Sequence, residues 1–462
     1  MKNHLFLLIF LNFFNSCSSS TPSDKNTGGT PLPTTPATPV TALTDEQALD
    51  QVQKDAIKYF WDYAEPNSKL GRERYHTDDP SFESNKVTTG GSGFGLMSLI
   101  VGVERGFIPR AEAVTRMTTA MDFLEKADRF HGAWAHWMDG NTGHAISFGN
   151  KDDGGDIVET AFLCQGLIAV REYFKDGNAQ EKALSAKADN LWKGVEWSWY
   201  TNGENAMYWH WSPTYQWEMK FKLEGYNECL IAYILGAAST THPIPAAAYH
   251  EGWTRNGTIA TGKTQYGIPL VFKYNTATGN AGPLFWAQYS YLGLDPSQLS
   301  DKYANYWELT QNQAKIIYSY CVDNPKKWNG YSDKCWGLTA SYSRNTDGST
   351  GYSAHDTDND LGVITPTAAL SSFPYMPKES MKFLHFLYDE KKSTYVGIAG
   401  PYDAFSPQFN WVTPRYLAID QGTIAPMIEN YRTGLIWKLF MNAPEVKQGL
   451  LNLGFHSGKY GF

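Results

Sequence analysis

The sequence predicts an all-α protein, an (α/α)6 toroid in which an outer ring of helices surrounds an inner ring. Three features support this fold class. Helical periodicity recurs about a dozen times, strand-like alternation is short and scattered, and mostly apolar helices alternate with amphipathic ones. Such alternation suits two concentric rings, because inner helices are buried on most sides and outer helices on one. An irregular helical bundle is the alternative.

The chain begins with a predicted export signal. Lys2 is followed by a largely apolar run, residues 5–14, which is too short to span a bilayer. A small residue precedes Cys17, as at the lipidation site of bacterial lipoproteins, so we expect residues 1–17 to form a lipoprotein signal peptide. An ordinary cleaved signal with an incidental cysteine is the alternative. Residues 18–43 are rich in Ser, Thr and Pro and should form a disordered tether.

These features predict an exported protein that is lipid-anchored in the cell envelope, in the periplasm or at the outer membrane. It would contact the membrane only through its lipid. Residues 44–462 contain no second linker and are predicted to form one large domain, which we expect to be monomeric. The 39 basic and 47 acidic residues are not segregated into blocks, which argues against nucleic-acid binding.

We predict neither a metal nor a cofactor. The four remaining cysteines, Cys164, Cys229, Cys321 and Cys335, form no C-x-x-C pair, and no histidines have the spacing of a metal-binding helix. Cys321 and Cys335 could pair in an oxidising compartment, and the sequence leaves that open.

The first predicted helix begins after Thr44, which can cap it, and Asp45 and Glu46 supply an acidic first turn. Pro66 follows its end. Further helices are predicted at residues 93–104, 109–127, 156–173, 180–199, 225–235, 284–291, 303–320, 366–372, 378–388, 423–431 and 444–451, and a short strand at 395–398.

Four of the mostly apolar helices directly follow loops rich in glycine, aromatic and acidic residues. These loops are predicted at residues 91–94, 152–156, 223–226 and 420–422. In a toroid each inner helix would point its N-terminal loop toward the same end. We therefore expect the four loops to meet and form a site.

The densest group of acids lies at the second of these loops and comprises Asp152, Asp153, Asp156 and Glu159. Asp156 and Glu159 are three residues apart at a helix start and so share a face. Crowded carboxyls raise one another's pKa, which suits the protonated acid that glycoside hydrolysis requires beside a second, ionised carboxylate. By spacing alone, a capping box of Asp156 and Glu159 is an equally good interpretation. The apolar continuation of the helix and the surplus of acid favour a site.

A second candidate acid is Glu228, predicted one turn into an apolar helix. A carboxylate there is costly to bury unless it is paired or protonated. The apolar neighbours that follow leave little polar face, which argues against the alternative of a solvent-facing side chain. Glu224 is the alternative acid, although it fits an N-terminal capping role better.

Aromatic residues make up 15% of the chain, and those near the predicted site could stack on sugar rings or pack in the core. The candidate substrate-binding residues from these clusters are His136, Trp137, Tyr208, Trp209, Trp211, Trp411 and Arg415.

The sequence resembles the bacterial glycoamylase-like proteins of glycoside hydrolase family 144. The resemblance covers nearly all of the chain after residue 43 and is carried by residues 70–74, 89–95, 130–137, 152–160, 224–228 and 423–430. It implies the (α/α)6 fold and hydrolysis of β-1,2-glucan with inversion, by internal cleavage or by release of sophorose from a chain end. It also adds Arg72, Arg74 and Tyr226 to the candidate substrate-binding residues.

The functional acids of that family match Asp152, Asp156, Glu159 and Glu228. We predict that Glu228 is the general acid and that Asp156 is the base that activates water, with the other two tuning the base or holding sugar hydroxyls. Two alternatives stay open: a glucoamylase-type exo-hydrolase of α-glucans, and a surface glycan-binding lipoprotein without activity.

Overall fold

The computed structural model describes residues 42–273 and 279–462. The predicted signal peptide, the lipidation at Cys17 and nearly all of the predicted tether lie outside the described residues. Among the helices that are described, none is both long enough and apolar enough to cross a bilayer. The four cysteines of the described part are buried free thiols, so Cys321 and Cys335 are not joined.

The described chain is mainly helical. Its α-helices, numbered in chain order, are α1 Asp45–Trp61, α2 Thr89–Glu104, α3 Arg110–Lys126, α4 Ile157–Phe174, α5 Ala179–Lys193, α6 Leu230–Ala238, α7 Tyr306–Asp323, α8 Pro366–Leu370, α9 Pro377–His385, α10 Lys392–Tyr395, α11 Ala418–Arg432, α12 Leu435–Met441 and α13 Pro444–Asn452. Short 3₁₀- or π-helical turns lie at Trp197–Thr201, Ala248–Trp253, Arg255–Gly257, Leu284–Ala287 and Phe386–Glu390.

The strands are short and pair in small antiparallel sheets. They are β1 Arg74–His76, β2 Lys86–Thr88, β3 Trp137–Asp139, β4 Ala145–Ile146, β5 Gly155–Asp156, β6 His210–Trp211, β7 Ala260–Gln265, β8 Ile268–Phe272, β9 Leu299–Ser300, β10 Ala340–Arg344, β11 Thr350–Ala354, β12 Val396–Gly397, β13 Gly400–Pro401, β14 Phe405–Ser406, β15 Trp411–Val412, β16 Arg415–Leu417 and β17 His456–Ser457. The hairpins β7–β8 and β10–β11 are longer than the scattered alternation predicts.

Buried and amphipathic helices alternate along the first half of the chain, as predicted. Nearly every residue of α2 and α4 is buried, whereas α1, α3 and α5 bury one face. The buried helix α2 packs between α4 and α11, and α5 covers α4. Thr44 caps α1 in a reciprocal capping box with Gln47, which confirms Thr44 as the cap of the first helix.

Several predicted helix boundaries are wrong. The helix predicted at 180–199 ends at Lys193, where Gly194 follows. The helix predicted at 284–291 is one 3₁₀ turn, because the backbone of Gln288 leaves the helical region and its side chain instead binds the carbonyl of Ala368. The helix predicted at 225–235 begins only at Leu230, so Glu228 lies in the turn before α6 and not inside it.

The glycine-rich loop predicted at 91–94 is also wrong, because these residues belong to the first turns of α2. Glycine is required there by packing: a Cβ on Gly93 would lie 2.3 Å from the Phe162 carbonyl oxygen of α4. Residues 420–422 likewise lie inside α11. Helix α2 therefore approaches α4 closely enough to bring the first turns of the two helices together.

Candidate active site

Asp156 is the N-cap of α4, and both of its carboxylate oxygens have partners. Oδ1 accepts the backbone N–H groups of Val158 and Glu159, each at 2.9 Å, and Oδ2 lies 3.0 Å from Nδ1 of His136. Its side chain is completely buried. Burial alone would raise the pKa of Asp156, but the hydrogen bond and positive charge of His136 outweigh it and hold the pKa below its ordinary value. Asp156 is therefore an ionised carboxylate.

His136 is the cation that matches this carboxylate. Burial would lower the pKa of His136, but the charges of Glu159, Asp156 and Asp152 together raise it to about 10. The imidazole is therefore protonated at neutral pH. Its side chain keeps 19% of its surface exposed, which gives the buried Asp156 a neighbour that reaches solvent.

Asp152 forms a second acid–histidine pair. Its Oδ2 lies 3.1 Å from Nε2 of His210. His210 belongs to β6, which pairs antiparallel with β5 so that His210 lies opposite Asp156. This pairing is a long-range contact, and it places both histidines beside the acidic loop. In the described part of the chain, one nitrogen of His136 and one oxygen each of Asp152 and Asp156 lie within 4.8 Å of one another, so these residues could hold a cation only if the imidazole lost its proton.

Glu159 does not complete a capping box. Its Oε2 instead accepts the backbone N–H of Gly90 in α2 at 2.7 Å. Burial raises the pKa of Glu159 to about 7, with His136 opposing that rise and Asp156 adding to it. The capping interpretation is thus correct for Asp156 and wrong for Glu159, whose carboxyl links α4 to α2.

Glu228 lies within electrostatic range of Asp156 and Glu159. Burial raises the pKa of the half-buried Glu228 to about 8, and the charges of Glu159 and Asp156 add to the rise. The turn is fixed by two bonds: the Cys229 N–H donates to the Asn227 side chain at 3.1 Å, and the Ser290 hydroxyl donates to the Glu228 carbonyl. Glu228 is therefore protonated at neutral pH, within electrostatic range of an ionised Asp156.

The basic candidates lie around paired strands. Because β1 pairs with β16, Arg74 lies opposite Leu417, and Arg415 lies opposite His76. Arg74 lies 5.9 Å from the ring of Trp137 and 3.3 Å from Glu83. Arg72 lies 5.6 Å from the ring of Tyr75, and Arg415 forms an ion pair with Asp78.

The aromatic candidates are divided between the site and the core. Trp209 stacks on His210, 5.6 Å away, and so lies beside the acids. Trp211 lies 5.0 Å from the ring of His131, and the half-buried Trp411 packs in a small cluster with Tyr342. Tyr208 and Tyr226 are buried, with exposures of 5% and 3%. Their hydroxyls donate to Glu204 and Gln313, and their role in substrate binding stays a prediction.

Sequence reasoning missed a pair of buried acids, Asp403 and Asp420. Each carboxyl has one protein donor: Asp403 accepts the Tyr342 N–H at 2.7 Å and Asp420 accepts the Tyr289 hydroxyl at 3.1 Å, and the two acids interact with each other electrostatically. Burial raises the pKa of Asp403 to about 6, and burial with the charge of Asp403 raises that of Asp420 well above its ordinary value. The pair therefore shares one proton. The loop predicted at 420–422, which begins with Asp420, is the sequence feature that could have pointed to this acid.

The chain is similar in sequence to known glucan hydrolases and in fold to solved structures of such enzymes. The chain is 54% identical to the endo-β-1,2-glucanase from Chitinophaga pinensis, solved as a sophorotriose and glucose complex; the match covers 91% of this chain and 100% of that one, with a TM-score of 0.88. It is 44% identical over 426 residues to the exo β-1,2-glucooligosaccharide sophorohydrolase (non-reducing end) of Parabacteroides distasonis. That match covers 88% of this chain, and the chain spans only 58% of that protein's length.

The structure of a β-1,2-glucanase from Parabacteroides distasonis is 43% identical, with a TM-score of 0.83; the match covers 89% of this chain and 60% of that one. In addition, residues 220–444 match the family model described as "Glycoamylase: Putative glucoamylase". That match includes Glu228 and the Asp403–Asp420 pair but not the acids of the α4 start.

Proposed function

This chain belongs to the bacterial glycoamylase-like family, glycoside hydrolase family 144, and we propose from that membership that it hydrolyses β-1,2-linked glucan. The observation that carries the proposal is the convergence of three carboxyls, Asp156, Glu159 and Glu228, whose charges act on one another. The tethering of α2 to α4 through Glu159 holds this cluster in place. The helices are proposed to close into the (α/α)6 toroid, which the alternation of buried and amphipathic helices supports.

The acid and base are assigned from the opposite directions of two pKa shifts. Glu228, with its pKa raised to about 8, keeps a proton to donate to the glycosidic oxygen as the bond to the anomeric carbon breaks. Asp156, with its pKa lowered, is the ionised base that takes a proton from the attacking water. The water attacks from the face opposite the leaving group, so the anomeric configuration inverts.

The burial of Asp156 shapes this mechanism. Because its side chain exposes no surface, the proton from water must reach it through a water or hydroxyl relay. The protonated His136 holds Asp156 ionised, and Asp152 holds His210 beside it or binds a sugar hydroxyl. An inverting enzyme separates its acid and base carboxyls by roughly 6.5–9.5 Å, which leaves room for that water.

A panel of glucans tests the proposal. The protein is incubated separately with linear β-1,2-glucan and with starch, and the products are resolved by chromatography. β-1,2-Linked oligosaccharides from the first substrate alone are expected. Glucose from starch would favour a glucoamylase-type exo-hydrolase. Binding of β-1,2-glucan without release of sugar, unchanged by Glu228→Gln, would favour a glycan-binding protein.

The same products distinguish two cleavage modes, both of which occur among the relatives named above. A mixture of oligosaccharide lengths early in the reaction indicates internal cleavage, whereas sophorose alone indicates exo action. Proton NMR of the fresh product gives the anomeric configuration. An α-anomer formed first from the β-linked substrate is expected, and a β-anomer formed first would refute inversion.

We also propose that the chain is exported and lipid-anchored through Cys17. The apolar run, the small residue before the cysteine and the Ser/Thr/Pro-rich stretch support this proposal. Labelled palmitate should be incorporated into the expressed protein and lost on Cys17→Ala, with the protein moving from the membrane fraction to the soluble fraction. Labelling that survives this substitution would contradict the assignment.

A further inference from the structure

Two exposed phenylalanines lie against the histidines that hold the catalytic acids. Phe148 exposes 41% of its surface and Phe221 exposes 40%. The ring of Phe148 lies 4.1 Å from that of His136 at an angle of 30°, and the ring of Phe221 lies 6.2 Å from that of His210. Single exposed apolar side chains are common, but here one accompanies each of the two acid–histidine pairs.

Main-chain hydrogen bonds fix both phenylalanines relative to the acids. The Phe148 N–H donates to the carbonyl of Asp152 at 2.9 Å. The Phe221 carbonyl accepts the N–H of Trp209 at 2.9 Å, and the Trp209 carbonyl accepts the N–H of Ile157, the first residue of α4, at 3.0 Å. The two rings therefore approach the acidic loop from separate segments of the chain, and each segment is anchored within one residue of Asp152 or Asp156.

The ring contacts of the two phenylalanines leave part of each side chain uncovered. Phe148 packs on His136 and Trp137, and Phe221 packs on Trp209 and His210, and each ring still leaves about two-fifths of its surface exposed. A β-linked glucosyl ring carries its hydroxyls around its edge and presents C–H groups on both faces. Such a face packs on an exposed aromatic ring, while the neighbouring polar groups bind the hydroxyls.

We propose that Phe148 and Phe221 are the stacking platforms for two glucosyl units of the substrate, one beside the Asp156–His136 pair and one beside the Asp152–His210 pair. The proposal rests on the proposed function and extends it by assigning the residues that hold the sugar rings. The two platforms act by binding and orienting the substrate, and they leave the proton transfers to the acids.

The test measures binding apart from catalysis. In a Glu228→Gln background, which is expected to bind without cleaving, calorimetry gives the Kd of a defined β-1,2-linked glucooligosaccharide. Loss of one stacked ring is expected to raise that Kd about tenfold in Phe148→Ala and in Phe221→Ala, whereas Phe148→Tyr and Phe221→Tyr retain the aromatic face and bind within about threefold of the parent. In the active protein the alanine variants should raise KM more than they lower kcat.

A matched control is Tyr431→Ala. Tyr431 is equally exposed at 42% but lies in the last turns of α11, the opposite end of that helix from Asp420, and it should leave the Kd unchanged. Unfolding temperatures of all variants verify that the fold is intact, and the tyrosine variants carry the test if an alanine variant does not fold.

The proposal is overturned if the Kd is unchanged in both alanine variants. It is also overturned if kcat falls while KM and Kd stay constant, because the rings would then only position the histidines. A wild-type protein that fails to cleave β-1,2-glucan would instead refute the proposed function, so the two failures are distinguishable.

Discussion

Replacement of Glu228 by Gln gives the sharpest test of the acid assignment. The substitution keeps the shape of the side chain and removes both the proton that it donates and the charge that it carries above its pKa. Loss of a general acid typically lowers kcat about 10²–10⁴-fold. The control Glu224→Gln changes an exposed carboxyl four residues earlier in the same segment and should retain wild-type activity. Full activity in Glu228→Gln, or its loss only in Glu224→Gln, would refute the assignment.

The same substitution predicts how stability depends on pH. Burial raises the pKa of Glu228 from 4.5 to about 8, so the folded protein binds this proton more tightly than the unfolded chain does. The resulting stabilisation is fully present below pH 4.5 and is lost as the pH rises through about 8. Linkage sets an upper limit of about 1.4 kcal/mol for each pH unit in that window, and solvent access to the half-buried carboxyl lowers this value.

Urea denaturation measures this effect directly. Wild type should lose stability as the pH rises from 5 to 8, whereas Glu228→Gln should not, because Gln cannot ionise. The free energy of unfolding of Glu228→Gln should therefore rise relative to that of wild type at each step. A difference between the two proteins that stays constant across this range would show that Glu228 has no raised pKa. The pH profile of kcat for the wild type should fall on its alkaline side near pH 8, for the same reason.

Three further substitutions test the surrounding groups. Asp156→Asn should lower kcat at least about 100-fold and, by removing the paired charge, lower the pKa of His136 from about 10, which NMR titration of the imidazole would detect; an unchanged imidazole pKa would refute the pair. Gly90→Ala places a Cβ 2.5 Å from Oε2 of Glu159 and should lower kcat and the unfolding temperature together; wild-type values of both would show that the contact is dispensable. Asp420→Asn mimics a protonated carboxyl and should therefore retain a higher kcat than Asp403→Asn does. A higher kcat in Asp403→Asn would instead place the shared proton on Asp403.

Local chemistry made part of the site predictable from the sequence. Asp156 and Glu159 are adjacent on one helical turn, so their spacing alone placed them together. The cost of burying a carboxylate singled out Glu228 even though the helix was predicted to begin five residues too early. In both cases the prediction needed only residues that are close together in the sequence.

Contacts between distant segments were not predictable in the same way. His136 meets Asp156, and Asp403 meets Asp420, across 20 and 17 residues, through strand pairings and helix packing that no local pattern encodes. The glycines of α2 misled the sequence reasoning for a related reason. Glycine is typical of loops, and here it serves close packing of one helix on another, which only the tertiary structure reveals.

In the proposed mechanism Asp156 is both the N-cap of α4 and the catalytic base, and this affects how an inactive form should be made for trapping a glucan. Its Oδ1 caps the start of the helix, while its Oδ2 pairs with the His136 imidazolium. A substitution of Asp156 therefore removes the helix cap and the balancing charge together. Glu228 precedes its helix and has no comparable capping duty. A substrate complex captured with Glu228→Gln should therefore preserve the geometry of the working enzyme more faithfully than one captured with a variant of Asp156.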